Sequence, residues 1–160
     1  MYNSWINNKK FFNYTKMKSF TDLEQSKILV TFLPPDTADM YYKKAIPKSG
    51  NVEQVLKVGN PVDALDSFNK VYAFSEKREP LCMEDFCIPC WSLAALRALI
   101  PKGIDIQNYL AADTDKDVSR QWIYTYKLNP ENNINTFISA ANEVDICFNV
   151  ITDLHAHGIL

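Results

Sequence analysis

Apolar residues recur at helical spacing in four stretches of the chain and alternate with polar ones in a fifth. The densest stretch is Cys87-Ile-Pro-Cys-Trp-Ser-Leu-Ala-Ala-Leu-Arg-Ala-Leu-Ile-Pro101, where only Ser92 and Arg97 are polar between Trp91 and Ile100. It reads as a buried helix over 91–100 with a proline on each side, because a helix apolar on nearly every face belongs to a core. A fainter version precedes it, with Leu23, Ile28, Leu29, Phe32 and Leu33 forming one stripe. The pattern predicts a helix over 22–33. Thr21-Asp-Leu-Glu24 fits a capping box at its start. Pro34-Pro35 ends it, since a proline cannot donate and pushes the preceding residue out of helical geometry. Two amphipathic helices ending at proline account for the likeness of the two segments without an internal repeat.

A turn over 36–39 then leads to Met40-Tyr-Tyr42, a short strand, and residues 43–60 read as a polar loop. Asn60-Pro61 opens another helix, with asparagine as cap and proline at the first helical position. Val62, Leu65, Phe68 and Tyr72 give its stripe. Residues 76–84 are charged and broken by Pro80, hence loop. After Pro101 the period changes to alternation, which predicts strands over 107–112, 120–128 and 134–139, the first two joined by a polar turn over 113–119. Asn142 caps a last helix, with Glu143 and Asp145 in its first turn and Gly158 as its stop. Val144, Cys147, Phe148, Ile151 and Leu154 make its stripe. The fold class is α+β: a small mixed or antiparallel sheet of three to four strands covered by three to four helices. The 91–100 helix is expected to be the most buried element, packed on Val144, Phe148 and Ile151, with the Arg97 guanidinium at the surface.

A chain of 160 residues fits one domain, spanning 19–160, after an N-terminal extension over 1–18. That extension carries Lys9, Lys10, Lys16 and Lys18 with no acid before Asp22, and Met17 offers a second start. The net charge of −2 gives no bulk attraction to nucleic acid or an anionic membrane. No apolar run is long enough for a membrane span, and the first ten residues lack the apolar core of a signal peptide. The expected compartment is the cytoplasm, where the four cysteines are thiols.

Four constellations invite chemistry. Cys82-x4-Cys87-x2-Cys90, with Cys147 downstream, matches a plant-type iron–sulfur spacing, and zinc could add His155 or His157. Cluster loops need small residues, whereas this one holds Met83, Glu84, Phe86 and Ile88, and Cys147 lies on an apolar stripe. Free thiols and no cofactor are the expectation. Asp113-Thr-Asp115-Lys-Asp117 has the rhythm of a calcium loop, but Val118 stands where glycine is needed and Tyr124 where the bidentate glutamate belongs. Trp122, Tyr124 and Tyr126 share one strand face, which suits core packing on an acidic chain better than base stacking. The two histidines sit at a helix end and face different ways. No serine elbow or Gly-rich loop is present, so no catalytic residue is nominated. Beside Pro34-Pro35, Asp36, Asp39, Tyr41 and Tyr42 form a candidate recognition surface, combining a restricted turn with acids and aromatic rings.

Thr21-Asp-Leu-Glu-Gln-Ser-Lys27, Leu33-Pro34, Ala38-Asp-Met-Tyr-Tyr42 and Gly59-Asn-Pro-Val-Asp-Ala-Leu65 stand in one order with Ile88-Pro-Cys-Trp-Ser-Leu-Ala-Ala-Leu96, Ile100-Pro101 and Val144-Asp-Ile-Cys147. From about residue 19 onward this set resembles a family of small uncharacterised proteins encoded by gut Bacteroidetes and their phages or prophages. The resemblance implies a phage or mobile-element setting and brings no ligand or catalytic residue with it. The expected function is that of a non-enzymatic accessory protein that binds another protein. The alternatives are a nucleic-acid role for the basic arm and metal binding through the cysteines.

Overall fold

The computed structural model describes residues 18–44, 54–76, 79–102, 104–111, 119–129 and 132–160. All of the expected 1–18 extension except Lys18, which bonds to the domain, much of the 43–60 loop and the calcium-like 113–117 pattern lie outside them. Of the Trp122, Tyr124 and Tyr126 face, the backbone is described and the side chains are not.

The chain runs α1 (Leu23–Leu29), a single 3-10 turn (Pro35–Thr37), β1 (Met40–Lys44), β2 (Gln54–Val58), α2 (Pro61–Glu76), α3 (Met83–Phe86), β3 (Cys87–Cys90) and α4 (Leu93–Leu99). It continues as β4 (Asp105–Ala111), β5 (Ser119–Asn129), β6 (Asn132–Ala140) and α5 (Glu143–Ala156). The fold is α+β, as the periodicity predicts. The strands form two antiparallel sheets of three, ordered β2-β1-β3 and β4-β5-β6, where a single sheet was expected.

Several boundaries move for local reasons. The cap of α1 is Asp22, which accepts from the Gln25 amide at 2.9 Å while the Gln25 side chain returns to the Asp22 amide at 3.3 Å. Thr21, expected as the cap, is buried instead. The regular helix stops at Leu29, and the chain reaches Leu33 through turns, with the Thr31 hydroxyl donating to the Ile28 carbonyl at 2.6 Å. Cys87-Ile-Pro-Cys90 is a strand and not part of the helix that follows. It pairs with β1 on one side, opposing Pro89 to Tyr41, and an edge position tolerates a proline. α4 begins after Ser92, whose hydroxyl accepts from the Ala95 amide. The 43–60 loop contains a strand, β2, which pairs Leu56 with Tyr42. Its Gln-Val-Leu-Lys-Val pattern has no clean alternation, and four of its five residues are exposed.

Two expected ends are confirmed. Asn60 caps α2, its side-chain oxygen accepting from the Val62 amide at 2.9 Å. Gly158 takes a φ of +68° after α5, so that its amide reaches the His155 carbonyl and the Ile159 amide reaches Leu154, a Schellman closure.

The core cluster joins Leu29, Leu33, Trp91 and Leu96 to a long apolar side of α5. Among the described residues α5 gives the core more buried side chains than the 91–100 segment does: Val144, Ile146, Cys147, Val150, Ile151 and Leu154 are all fully buried there, against Trp91 and Leu96. In the two-turn α4 only Leu96 is fully buried, because Ala94 and Ala98 turn outward with Arg97. The expected pairing of α4 with α5 is present, and α5 also packs on β5 and β6. The Arg97 side chain is 57% exposed and pairs with Glu143 at the start of α5.

A buried polar knot ties α1 to both neighbouring strands. The Thr21 amide donates to the Trp91 carbonyl at 2.9 Å, and the Thr21 hydroxyl accepts from the Trp91 amide at 3.1 Å. That hydroxyl also lies 2.8 Å from Ser26 and 3.5 Å from the Cys90 sulfur. From β1 the Tyr42 hydroxyl donates to the Thr21 carbonyl at 2.8 Å. Each buried polar atom of Thr21 is thereby satisfied, which a residue this deep requires.

At the rim of the knot, Lys18 Nζ bonds Asp22 at 2.8 Å, Gln25 at 2.6 Å and Asp145 at 2.7 Å. Asp145 also accepts from Gln25 and from Asn142. Burial alone would raise the Asp145 pKa, but the bonds from Lys18, Gln25 and Asn142 outweigh it and hold the carboxyl below its ordinary value. A lowered folded-state pKa gives stability that is complete above the unfolded value, about 3.9, and is lost as pH falls through the folded one. Asp145→Asn should therefore be less stable than the wild type at neutral pH. The gap should close in denaturant titrations taken below about pH 4. A gap that does not change with pH would show that the carboxylate's charge contributes nothing.

Candidate functional site

Strand alternation builds an open concave surface between the β1–β2 pair and the α2–α3 segment. Side chains two apart on a strand share a face, so Tyr41 and Lys43 of β1 point one way. The register sets Lys43 opposite Val55 and Tyr41 opposite Lys57, which puts those two β2 residues on the same face. Against this face pack Phe68 from α2 and Phe86 from α3. The Phe86 ring lies 5.9 Å from Tyr41 and 5.3 Å from Phe68, tilted to both. Phe86 is only 5% exposed and forms the floor. The result is an open cleft of about 460 Å³.

Its walls are held from several directions. Asn69 brackets Leu81 with two hydrogen bonds of 2.9 Å, which fixes that side chain at the rim. Lys44, at the end of β1, donates to the Glu84 carbonyl at 2.6 Å. Asp85 accepts from the Cys82 thiol at 3.0 Å. The Lys43 ammonium sits 5.3 Å from the Phe68 centroid and 5.4 Å from that of Phe86, within cation–π range of both rings. Three lysines and one acid thus line the cleft of a chain whose net charge is −2. The positive charge is concentrated over an apolar floor, where a low local dielectric strengthens its field.

The residues nominated from the sequence divide around this cleft. Tyr41 packs its ring against Phe86 but does not line the cleft. Tyr42 points to the opposite face and is bonded to Thr21. The Asp39 carboxylate accepts from the Ser92 amide at 2.8 Å and from the Ser92 hydroxyl at 2.5 Å, fastening the start of α4. Asp36 lies in the 3-10 turn, and its carbonyl accepts from Asn60 at 2.9 Å. The four residues do not share one surface. Lys43, Lys44 and Lys57 escaped the sequence reading because 43–60 was assigned to loop. The Tyr-Tyr-Lys-Lys doublet was the available signal.

The cysteines also separate. Cys82 is exposed, Cys87 and Cys90 are buried at the two ends of β3, Cys147 is buried in α5, and all four are free thiols. Among the described residues no three Cys, His, Asp or Glu side chains gather as a metal set. Burial pushes the Cys87 and Cys147 thiols up to about 11 and raises that of Cys90. Such thiols stay protonated at neutral pH and make poor nucleophiles. The His155 ring stacks on Phe32 at 4.0 Å, and His157 Nδ1 lies 2.8 Å from the Asp153 carbonyl.

No helix among the described residues is long and apolar enough to cross a membrane. No family model, curated protein or solved structure matches the chain.

Proposed function

We propose that this protein is a non-enzymatic binding module that acts by holding another protein, and that the cleft between the β1–β2 pair and the α2–α3 segment is where it does so. The supporting observation is the meeting of Lys43, Lys44 and Lys57 over a Phe68–Phe86 floor in an open depression. Among the described residues nothing beside these lysines completes a proton relay or an activated nucleophile, and the chemistry on offer there is recognition. A cytoplasmic accessory role in a bacterial host, in a phage or mobile-element setting, agrees with the resemblance noted in the sequence.

A photo-crosslinking residue in place of Val55 would capture the partner in cells. The purified partner would then be titrated with the wild type and with a Lys43→Glu, Lys57→Glu double variant. Charge reversal at two contacts should weaken binding by about tenfold or more, each 1.4 kcal/mol being a factor of ten. The Lys57→Glu single variant should keep its melting temperature, because that side chain is exposed, whereas Lys43→Glu also removes the cation–π contacts to Phe68 and Phe86 and should lower it. Unchanged affinity for the double variant would sink the assignment of this cleft.

A further inference from the structure

We infer that the occupant of the cleft is an extended acidic peptide segment, with carboxylates two residues apart and an aliphatic side chain in alternation with them. This rests on the reading of the cleft as a protein-binding site and adds the chemistry of what enters.

The spacing of the lysines carries the inference. Lys43 and Lys57 lie on one face of the β1–β2 pair but are not directly opposed. Lys43 faces Val55, and Lys57 faces Tyr41. They are diagonal neighbours, and such pairs stand about 7–8 Å apart in an antiparallel sheet. In an extended peptide, residues i and i+2 point the same way about 6.8 Å apart. Two carboxylates in that relation offer each lysine its own partner, since the two lysine stems leave the sheet at a matching interval.

The remaining walls agree. Val55 and Leu81 are aliphatic and sit beside the lysines at the rim, where an alternating leucine or valine would lie. Among the described residues of the lining Asp85 is the one acid, and it already accepts from Cys82. A peptide carboxylate is therefore met by an excess of positive charge. Lys43 also argues against a nucleic-acid strand. Its ammonium lies 5.3 and 5.4 Å from the two phenylalanine centroids, and Phe86 is only 5% exposed, so the rings do not form an open stacking platform.

The test uses the full chain and three synthetic pentapeptides, acetylated and amidated, in calorimetric titrations at low and moderate salt. The sequence Glu-Ser-Glu-Ser-Leu should bind and should weaken as salt rises, since the contacts are charged and open to solvent. Its counterpart Gln-Ser-Gln-Ser-Leu should bind at least about tenfold more weakly, or about 1.4 kcal/mol. The rearranged Glu-Glu-Ser-Ser-Leu, whose carboxylates face opposite ways when extended, should also lose affinity. Lys57→Gln, a change at an exposed strand position, should remove most of the preference for the acidic peptide while the fold is retained. Equal binding of the acidic and amide peptides would overturn the inference, as would no binding of any of the three. So would tighter binding of oligothymidylate that depends on Lys43. If the crosslinked partner depends on Lys43 and Lys57 but docks through a segment without acids, the cleft remains the binding site and only its proposed occupant is wrong.

Discussion

Replacing Trp91 by alanine should cost about 3–5 kcal/mol of folding stability, the usual range for truncating a buried aromatic side chain. Trp91 has no exposed surface and is the largest fully buried side chain in the described core. It lies between the β3 edge and α4, so its loss opens a cavity where the two parts of the fold meet. Its indole Nε1 also donates to the Thr37 hydroxyl at 3.0 Å, across to the turn that follows α1. Trp91→Phe separates the two contributions. It keeps much of the apolar volume and removes the donor, so it should be intermediate, with the Thr37 hydroxyl left to find another partner. Urea unfolding followed by circular dichroism measures both variants. If Trp91→Ala were as stable as the wild type, Trp91 would not be a core residue.

Leu96→Ala is the second large effect, at about 2–5 kcal/mol. Leu96 is the one residue of α4 with no exposed surface, and it packs into the cluster formed with α5. Leu93 and Leu99 are only partly buried, so the same truncation there should cost less than at Leu96. That ordering is the sharper test. Equal losses at all three positions would mean that α4 is embedded on every side, as its composition alone suggests.

The contrast between α4 and α5 shows how far a hydrophobic pattern can be read. Both segments are apolar, and periodicity found both, together with the Asn142 and Asn60 caps and the three strands after Pro101. Periodicity could not rank them. Ala94 and Ala98 are apolar by composition, yet alanine is small enough to face water at little cost, and the outward side of α4 is made of them. The Thr21 cap failed for a related reason. Threonine and aspartate both cap helices, and only tertiary structure decided that Thr21 would turn inward to Trp91, leaving the cap to Asp22. The β2 strand was hidden because it carries little of the core, so its sequence was under no pressure to alternate. The cleft was hidden with it. Lys43 and Lys57 are fourteen positions apart, and no local pattern announces that a register will set them side by side.

The placement of α5 bears on how the chain can fold as it is made. Six of the eleven residues in the described core cluster come from this last helix. Asp145, in its first turn, is also the anchor for Lys18 on the far side of the sequence. A ribosome releases α1, β1, β3 and α4 long before α5 emerges. Through most of synthesis, Leu29, Trp91 and Leu96 have no wall to pack against, and Lys18 lacks one of its two carboxylates. The packing of Leu29, Trp91 and Leu96 against α5 is therefore a late event of synthesis, formed only after the residues of that helix have left the ribosome.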